Sequence, residues 1–235
     1  MSDDGVTVRS VLAEQVKDRL LQDILAGRYL PHSRIVETRV ARELGTSQAP
    51  VREALRGLEA LGVVEILPFR GARVRRLSTH ELLEAYGVRS ELECLAARLG
   101  VPRMTDADLE ELEALHAAMQ RAAASGDRHE VAVADASFHA RLVRLAGNAT
   151  LGRVWRSLEP FSRTYITLVA PGADAHWTAD LHPRIVAALR TREPEAVVEA
   201  LRRHFDEAGA HLAGSWQDPA PGAPRAAGRG ASRSS

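Results

Sequence analysis

Cysteine is almost absent from this chain: Cys94 stands alone. A lone thiol allows no internal disulfide and fits a reducing, cytoplasmic setting. Its neighbours Leu92, Leu95 and Ala96 follow a helical pattern, so it reads as a small buried hydrophobe. No apolar run approaches the ~18 residues that a membrane-spanning helix needs. The first residues, MSDDGVTVRS, are polar and lack the apolar centre of a signal peptide. Lysine is nearly missing too, since only Lys17 interrupts a set of 31 basic residues that is otherwise arginine. That bias is compositional and marks no site. Internal repeats are also lacking.

What is present is a chain of 235 residues with 45% hydrophobic and 26% charged positions, ordinary for a globular protein of one large or two modest domains. The net charge of zero hides an asymmetry. Residues 1–76 hold 13 basic against 10 acidic side chains, whereas residues 77–212 hold 15 against 20. A basic first third on an acidic remainder fits a nucleic-acid-binding head on another body.

Residues 34–64 carry the plainest motif. RIVETRVAREL reads as a short amphipathic helix that ends before Gly45, a natural position for a left-handed residue. Thr46-Ser47 offers hydroxyls to cap the next helix, and Pro50 lies within its first turn, where a missing N–H costs nothing. Val51, Ala54, Leu55, Leu58 and Leu61 then make one apolar stripe. Ser47, Gln48, Ala49 and Arg52 face away from it. A helix offering short polar groups and an arginine near its N-terminus suits the DNA major groove.

Around this helix-turn-helix, residues 8–26 read as a further amphipathic helix. Residues 63–67 and 72–74 read as β-prone runs about a Pro68–Gly71 turn. Arginines on such a wing, Arg70 and Arg73, are placed for phosphates or the minor groove. From Ser78 onward the pattern is helical, with segments expected near 79–99, 105–124, 127–147, 150–170, 178–191 and 194–212. The expected fold is mainly α: a winged helix-turn-helix over residues 8–76, an antiparallel all-helical bundle over 78–212, and a disordered tail over 213–235.

A second constellation lies in the bundle. Asp135 and His139 sit four residues apart on one helix and so face the same way. His182 begins another helix, and His204 lies between Leu201, Phe205 and Ala208 on the last. Each borders an apolar stripe. Three imidazoles and a carboxylate on inward-facing helices can form an N₃O metal site with positions left for water or an anion. Zinc suits this set first, with nickel or manganese as alternatives. The remaining histidines (His32, His80, His116, His129, His176 and His211) read as ordinary core or surface groups.

The sequence resembles the GntR family of bacterial transcription regulators, in the branch with a helical FCD effector domain. The resemblance is carried by RIVETRVARELGTSQAPVREALRGLEALGVVE and FRGARVRRLS in the first third. YGVRSELECLAARL, DASFHARLVRLAGNATL and LHPRIVAALRTREPEAVVEALRRHF carry it further on. It covers roughly residues 10–212. It implies a winged head and a helical domain that binds a small carboxylic acid, often through a divalent metal. Asp135, His139, His182 and His204 fall on the family's four metal-ligand positions. Arg89 falls where the family has an arginine on the first effector-domain helix, as a partner for an effector carboxylate. The competing role for Arg89 is an ion pair with Glu93, four residues on. Six bundle helices rather than seven would suit the family's smaller-domain subgroup. Gln48 departs from the arginine frequent there, and glutamine pairs with adenine where arginine prefers guanine. Pro183, directly after His182, is a second departure.

The resulting expectation is a homodimeric regulator, most simply a repressor, that binds a palindromic operator of double-stranded DNA. The expected DNA-contacting set is Arg34, Ser47, Gln48, Ala49, Arg52, Arg70, Gly71 and Arg73. A metal-dependent hydrolase built on the Asp/His₃ site is the alternative from another class. It leaves the winged head unexplained, and no additional Glu or His stands out as a general base. A structural nucleic-acid protein with a vestigial effector domain is the third.

Overall fold

The computed structural model describes residues 4–25, 28–68, 70–75, 78–158 and 175–215. Helix α1 (Asp4–Leu25) leads into a short strand β1 (Arg34–Ile35), helices α2 (Glu37–Glu43) and α3 (Gln48–Ala60), and strands β2 (Val64–Leu67) and β3 (Gly71–Val74). The bundle follows with α4 (Thr79–Gly100), a 3₁₀ turn (Val101–Arg103), α5 (Asp106–Ser125) and α6 (Arg128–Leu145). Then come α7, described over 149–158, and α8 (Ala175–Asp180), α9 (Pro183–Thr191) and α10 (Pro194–Ser215).

The head packs as its apolar spacing requires. Val51, Ala54, Leu55 and Leu58 of α3 are buried against Val16, Leu20 and Ile24 of α1 and Val40 of α2. Fully burying each large aliphatic side chain contributes about 1.5–3 kcal/mol, so this stripe fixes the orientation of α3. Ser47 is the N-cap of α3 in extended backbone, but its hydroxyl makes no capping bond. The expected hydroxyl cap is therefore absent, and the group stays exposed.

The wing has three strands where the sequence predicted two. Residues 34 and 35, expected to open a helix, instead pair with β3, giving the order β1-β3-β2. Burial of Ile35 beside Ala72 explains it, because a two-residue strand is too short for periodicity to reveal. Gly71 takes φ +83°, and a Cβ there would lie 2.4 Å from the Ile35 carbonyl oxygen. Only glycine lets the wing turn this close to β1.

The bundle starts cleanly. Ser78 and Glu81 form a reciprocal capping box at α4, and Thr105 and Asp108 form another at α5, where a capping hydroxyl was expected. At the far end of α4, a Cβ on Gly100 would meet Leu145 Cβ at 2.5 Å, so α4 and α6 cross closely there. Cys94 is buried as expected.

Three boundaries differ from the sequence-based expectation. The helix expected over 178–191 is two helices, α8 and α9, which raises the bundle to seven helical segments among the described residues. Pro183 has no N–H to continue the ladder, so the chain turns at Leu181-His182 and restarts. The first helix begins at Asp4, ahead of residue 8, and α10 runs to Ser215, into the segment assigned to the tail. The remainder of that tail, 216–235, and residues 159–170 of the helix expected to end at 170 lie outside the described residues. No helix among the described residues is long and apolar enough to cross a membrane.

Candidate metal centre and nucleic-acid interface

The histidines converge. His139 on α6, His182 at the cap of α9 and His204 on α10 are buried, with ligand-capable atoms all within 4.8 Å of one another. Ring centroids lie 5.2 Å apart for His139 and His182, 5.0 Å for His139 and His204, and 4.8 Å for His182 and His204. Phe138 and Phe205 wall the cluster with their ring edges and faces. Asp135 Oδ1 joins it at 3.3 Å from His182 Nε2 and 3.8 Å from His139 Nε2. The structure thus brings together all four residues expected to bind metal.

Hydrogen bonding decides which ring nitrogens face inward. His182 Nδ1 lies 3.0 Å from the Thr178 carbonyl, an acceptor only, so Nδ1 carries the hydrogen. His139 Nδ1 lies 2.5 Å from Glu93 Oε2, a carboxylate, so it too carries the hydrogen. In neutral rings the two Nε2 atoms are then bare lone pairs, 3.2 Å apart and both facing Asp135. His204 Nδ1 is buried and makes no hydrogen bond among the described residues. Lone pairs massed in this way repel unless a cation lies among them, so the donor set fits a divalent metal.

The electrostatics agree. Burial, with the neighbouring His182 and His139, pushes the His204 pKa well below its ordinary value, which favours the neutral ligand form. Burial works against ionising Asp135, but nearby positive charge, that of Arg89 included, prevails, and its carboxyl falls below the usual range. Burial likewise opposes Glu93, yet His139 and Arg89 hold its pKa at about 2.

Arg89 forms the ion pair weighed against effector binding. Its Nε and Nη2 lie 3.0 and 2.9 Å from Glu93 Oε1. The pair is buried, and the guanidinium sits 5.4 Å from the Trp155 ring and 5.3 Å from the Phe205 ring. Sequence reading noticed Glu93 only as a counter-ion for Arg89 and missed its contact with His139. A signal existed: Leu82, Arg89, Glu93 and Ala97 share one helical face, so two charges stand inside an apolar stripe.

At the other end of the chain, Arg34, Gln48, Arg52, Arg70 and Gly71 line one open groove of about 580 Å³ between the start of α3 and the wing. Gln48 is exposed, and its Oε1 accepts from Arg52 Nη2 at 3.0 Å, while Arg52 Nε donates to Glu37 at 2.6 Å. Arg34 Nε donates to the Arg70 carbonyl at 2.5 Å. Ser47 is exposed beside this groove and Ala49 is half-buried. Arg73 pairs with Glu65 across the β2–β3 ladder at 2.7 Å.

Comparison with known proteins agrees with both halves. Residues 12–74 match the bacterial regulatory proteins of the gntR family, and residues 84–207 match the FCD domain. A Paenarthrobacter nicotinovorans protein described as "Probable D-xylose utilization operon transcriptional repressor" is 38% identical over 196 residues, covering 83% of this chain and 86% of that one. The gluconate operon transcriptional repressor of Bacillus subtilis is 24% identical, over 86% of this chain and 85% of that repressor. The Escherichia coli McbR/YncC structure superposes with a TM-score of 0.77 at 24% identity, covering 86% of this chain and 97% of that one, a likeness of fold. Its relatives are regulators and not enzymes, and the chain belongs to the GntR family of DNA-binding transcriptional regulators, with an FCD domain as its second half.

Proposed function

We propose that this chain is a metal-dependent, metabolite-responsive repressor. It would bind a palindromic operator as a homodimer and respond to a small carboxylic acid at the Asp135/His139/His182/His204 site. The observation that carries the reading is the pair of bare Nε2 atoms of His139 and His182, 3.2 Å apart and facing Asp135. Those four residues would hold the ion, zinc before nickel or manganese, and the bound ion would supply positive charge for an anion. Arg89, 3% exposed and next to the cluster through Glu93, would meet the effector's carboxylate.

The head supports the output. The groove that holds Gln48, Arg52, Arg34 and Arg70 combines hydrogen-bonding groups with cations, the mixture that reads base edges and neutralises phosphates. A dimer follows from the operator model, since two recognition helices on one DNA face need two-fold spacing. The repressor sense is carried over from relatives named as repressors of the D-xylose and gluconate operons, and a sugar-acid ligand class from the gluconate operon alone.

A thermal-shift screen of small carboxylic acids, gluconate among them, tests this with and without chelator. The expected hit raises the melting temperature only when metal is present and vanishes in His204→Ala. A wide panel without a single metal-dependent hit contradicts the effector reading.

A further inference from the structure

We propose that Glu93 is the positioning residue of this cluster. It fixes His139 as the Nδ1–H tautomer, so that Nε2 points to the metal, and ties that ring to Arg89 and Trp155. The inference rests on the metal reading above and assigns to one carboxylate the link between its metal arm and its anion arm.

Glu93 is 0% exposed and joins three elements. From α4, its Oε1 accepts from Arg89 Nε and Nη2 at 3.0 and 2.9 Å, and from Trp155 Nε1 on α7 at 2.8 Å. Its Oε2 faces His139 Nδ1 on α6 at 2.5 Å. Arg and Trp side chains can only donate, and an ionised carboxylate can only accept. The carboxylate therefore satisfies every neighbour at once, and the hydrogen on His139 has one available place.

An amide in the same position cannot do this. In Glu93→Gln the carbonyl oxygen must face Arg89 and Trp155, because the alternative sets an NH₂ against two obligate donors. The NH₂ then faces His139 Nδ1, which must become the acceptor. The hydrogen moves to Nε2, where a metal would bind. One isosteric change thus inverts the tautomer of a ring it touches only at the far side.

The test uses the full-length chain, Co²⁺ as the probe followed by its visible absorption, and long-range ¹H–¹⁵N NMR of the imidazoles without metal. The wild-type chain is expected to bind Co²⁺ and to show His139 as the Nδ1–H tautomer. Glu93→Gln should weaken Co²⁺ binding about 10- to 100-fold and show the Nε2–H tautomer. Glu93→Asp, which keeps an acceptor-only group, should retain Nδ1–H and recover part of the affinity. Glu91→Gln, exposed on the same helix, should match wild type. Wild-type affinity together with Nδ1–H in Glu93→Gln overturns the proposal. If that variant does not fold, the wild-type spectrum decides, because Nε2–H at His139 is incompatible with the role given to Glu93. A wild-type chain that takes up no Co²⁺ overturns the metal reading first. Uptake by wild type and Glu93→Gln alike overturns the role of Glu93 alone.

Discussion

Glu93 and Gln48 show how much a single side chain can decide. Gln48 opens α3 and is exposed, with its oxygen already engaged by Arg52. Its amide offers an acceptor and a donor together, the pattern that adenine complements, whereas an arginine would favour guanine. Gln48→Arg should therefore change the preferred base at one position of each half-site in a binding-selection assay and leave the others alone. An unchanged preference would remove Gln48 from base reading. At this scale the convergence of Asp135, His139, His182 and His204 was legible, because the i,i+4 spacing of the first two and the apolar flanks of all four place them inside the bundle. Glu93's contact with His139 was not, since it joins residues 46 apart in sequence on two different helices. Periodicity says which face is buried and not which buried group meets which.

Elements were legible wherever burial repeats with a regular period. Helix α3 follows its stripe, and Leu55→Ala within it should cost the head about 2–5 kcal/mol, read as an earlier denaturant midpoint. A loss below about 0.5 kcal/mol would mean that the stripe does not hold the recognition helix. Helix ends were less legible. The chain turns at His182 because Pro183 interrupts the ladder, and that turn delivers the imidazole to the cluster from a helix cap. Strand β1 escaped notice because two residues carry no period.

The start of α4 also ties the two halves together. Arg75, just past β3, donates to the Gly62 carbonyl at 3.2 Å and reaches Glu81 Oε1 at 2.5 Å. Burial opposes the charge on Glu81, but hydrogen bonds from Ser78 and Arg75 lower its pKa below the ordinary value. A folded pKa below the unfolded one means that the stabilisation is complete above the unfolded carboxylate range and is lost as pH falls through the folded value. Urea titrations should therefore show wild type losing stability on acidification through that range more steeply than Glu81→Gln. Parallel pH profiles for the two proteins would contradict a charged cap and clamp.

For the molecule as a whole, a head built to meet DNA and a body built around inward-facing histidines share one chain. The family match secures the regulator, with an FCD domain as its body. Folds host many sites, and specificity lies in a few side chains. The proposed response to an anion depends on a divalent ion held by the buried cluster. Elemental mass spectrometry of the full-length protein, equilibrated with Zn²⁺ and then dialysed, tests it most directly. About one ion per wild-type chain is expected, and next to none in a His182→Ala/His204→Ala variant of unchanged helicity. A wild-type protein that emerges metal-free, or a variant that retains as much zinc as wild type, would contradict it.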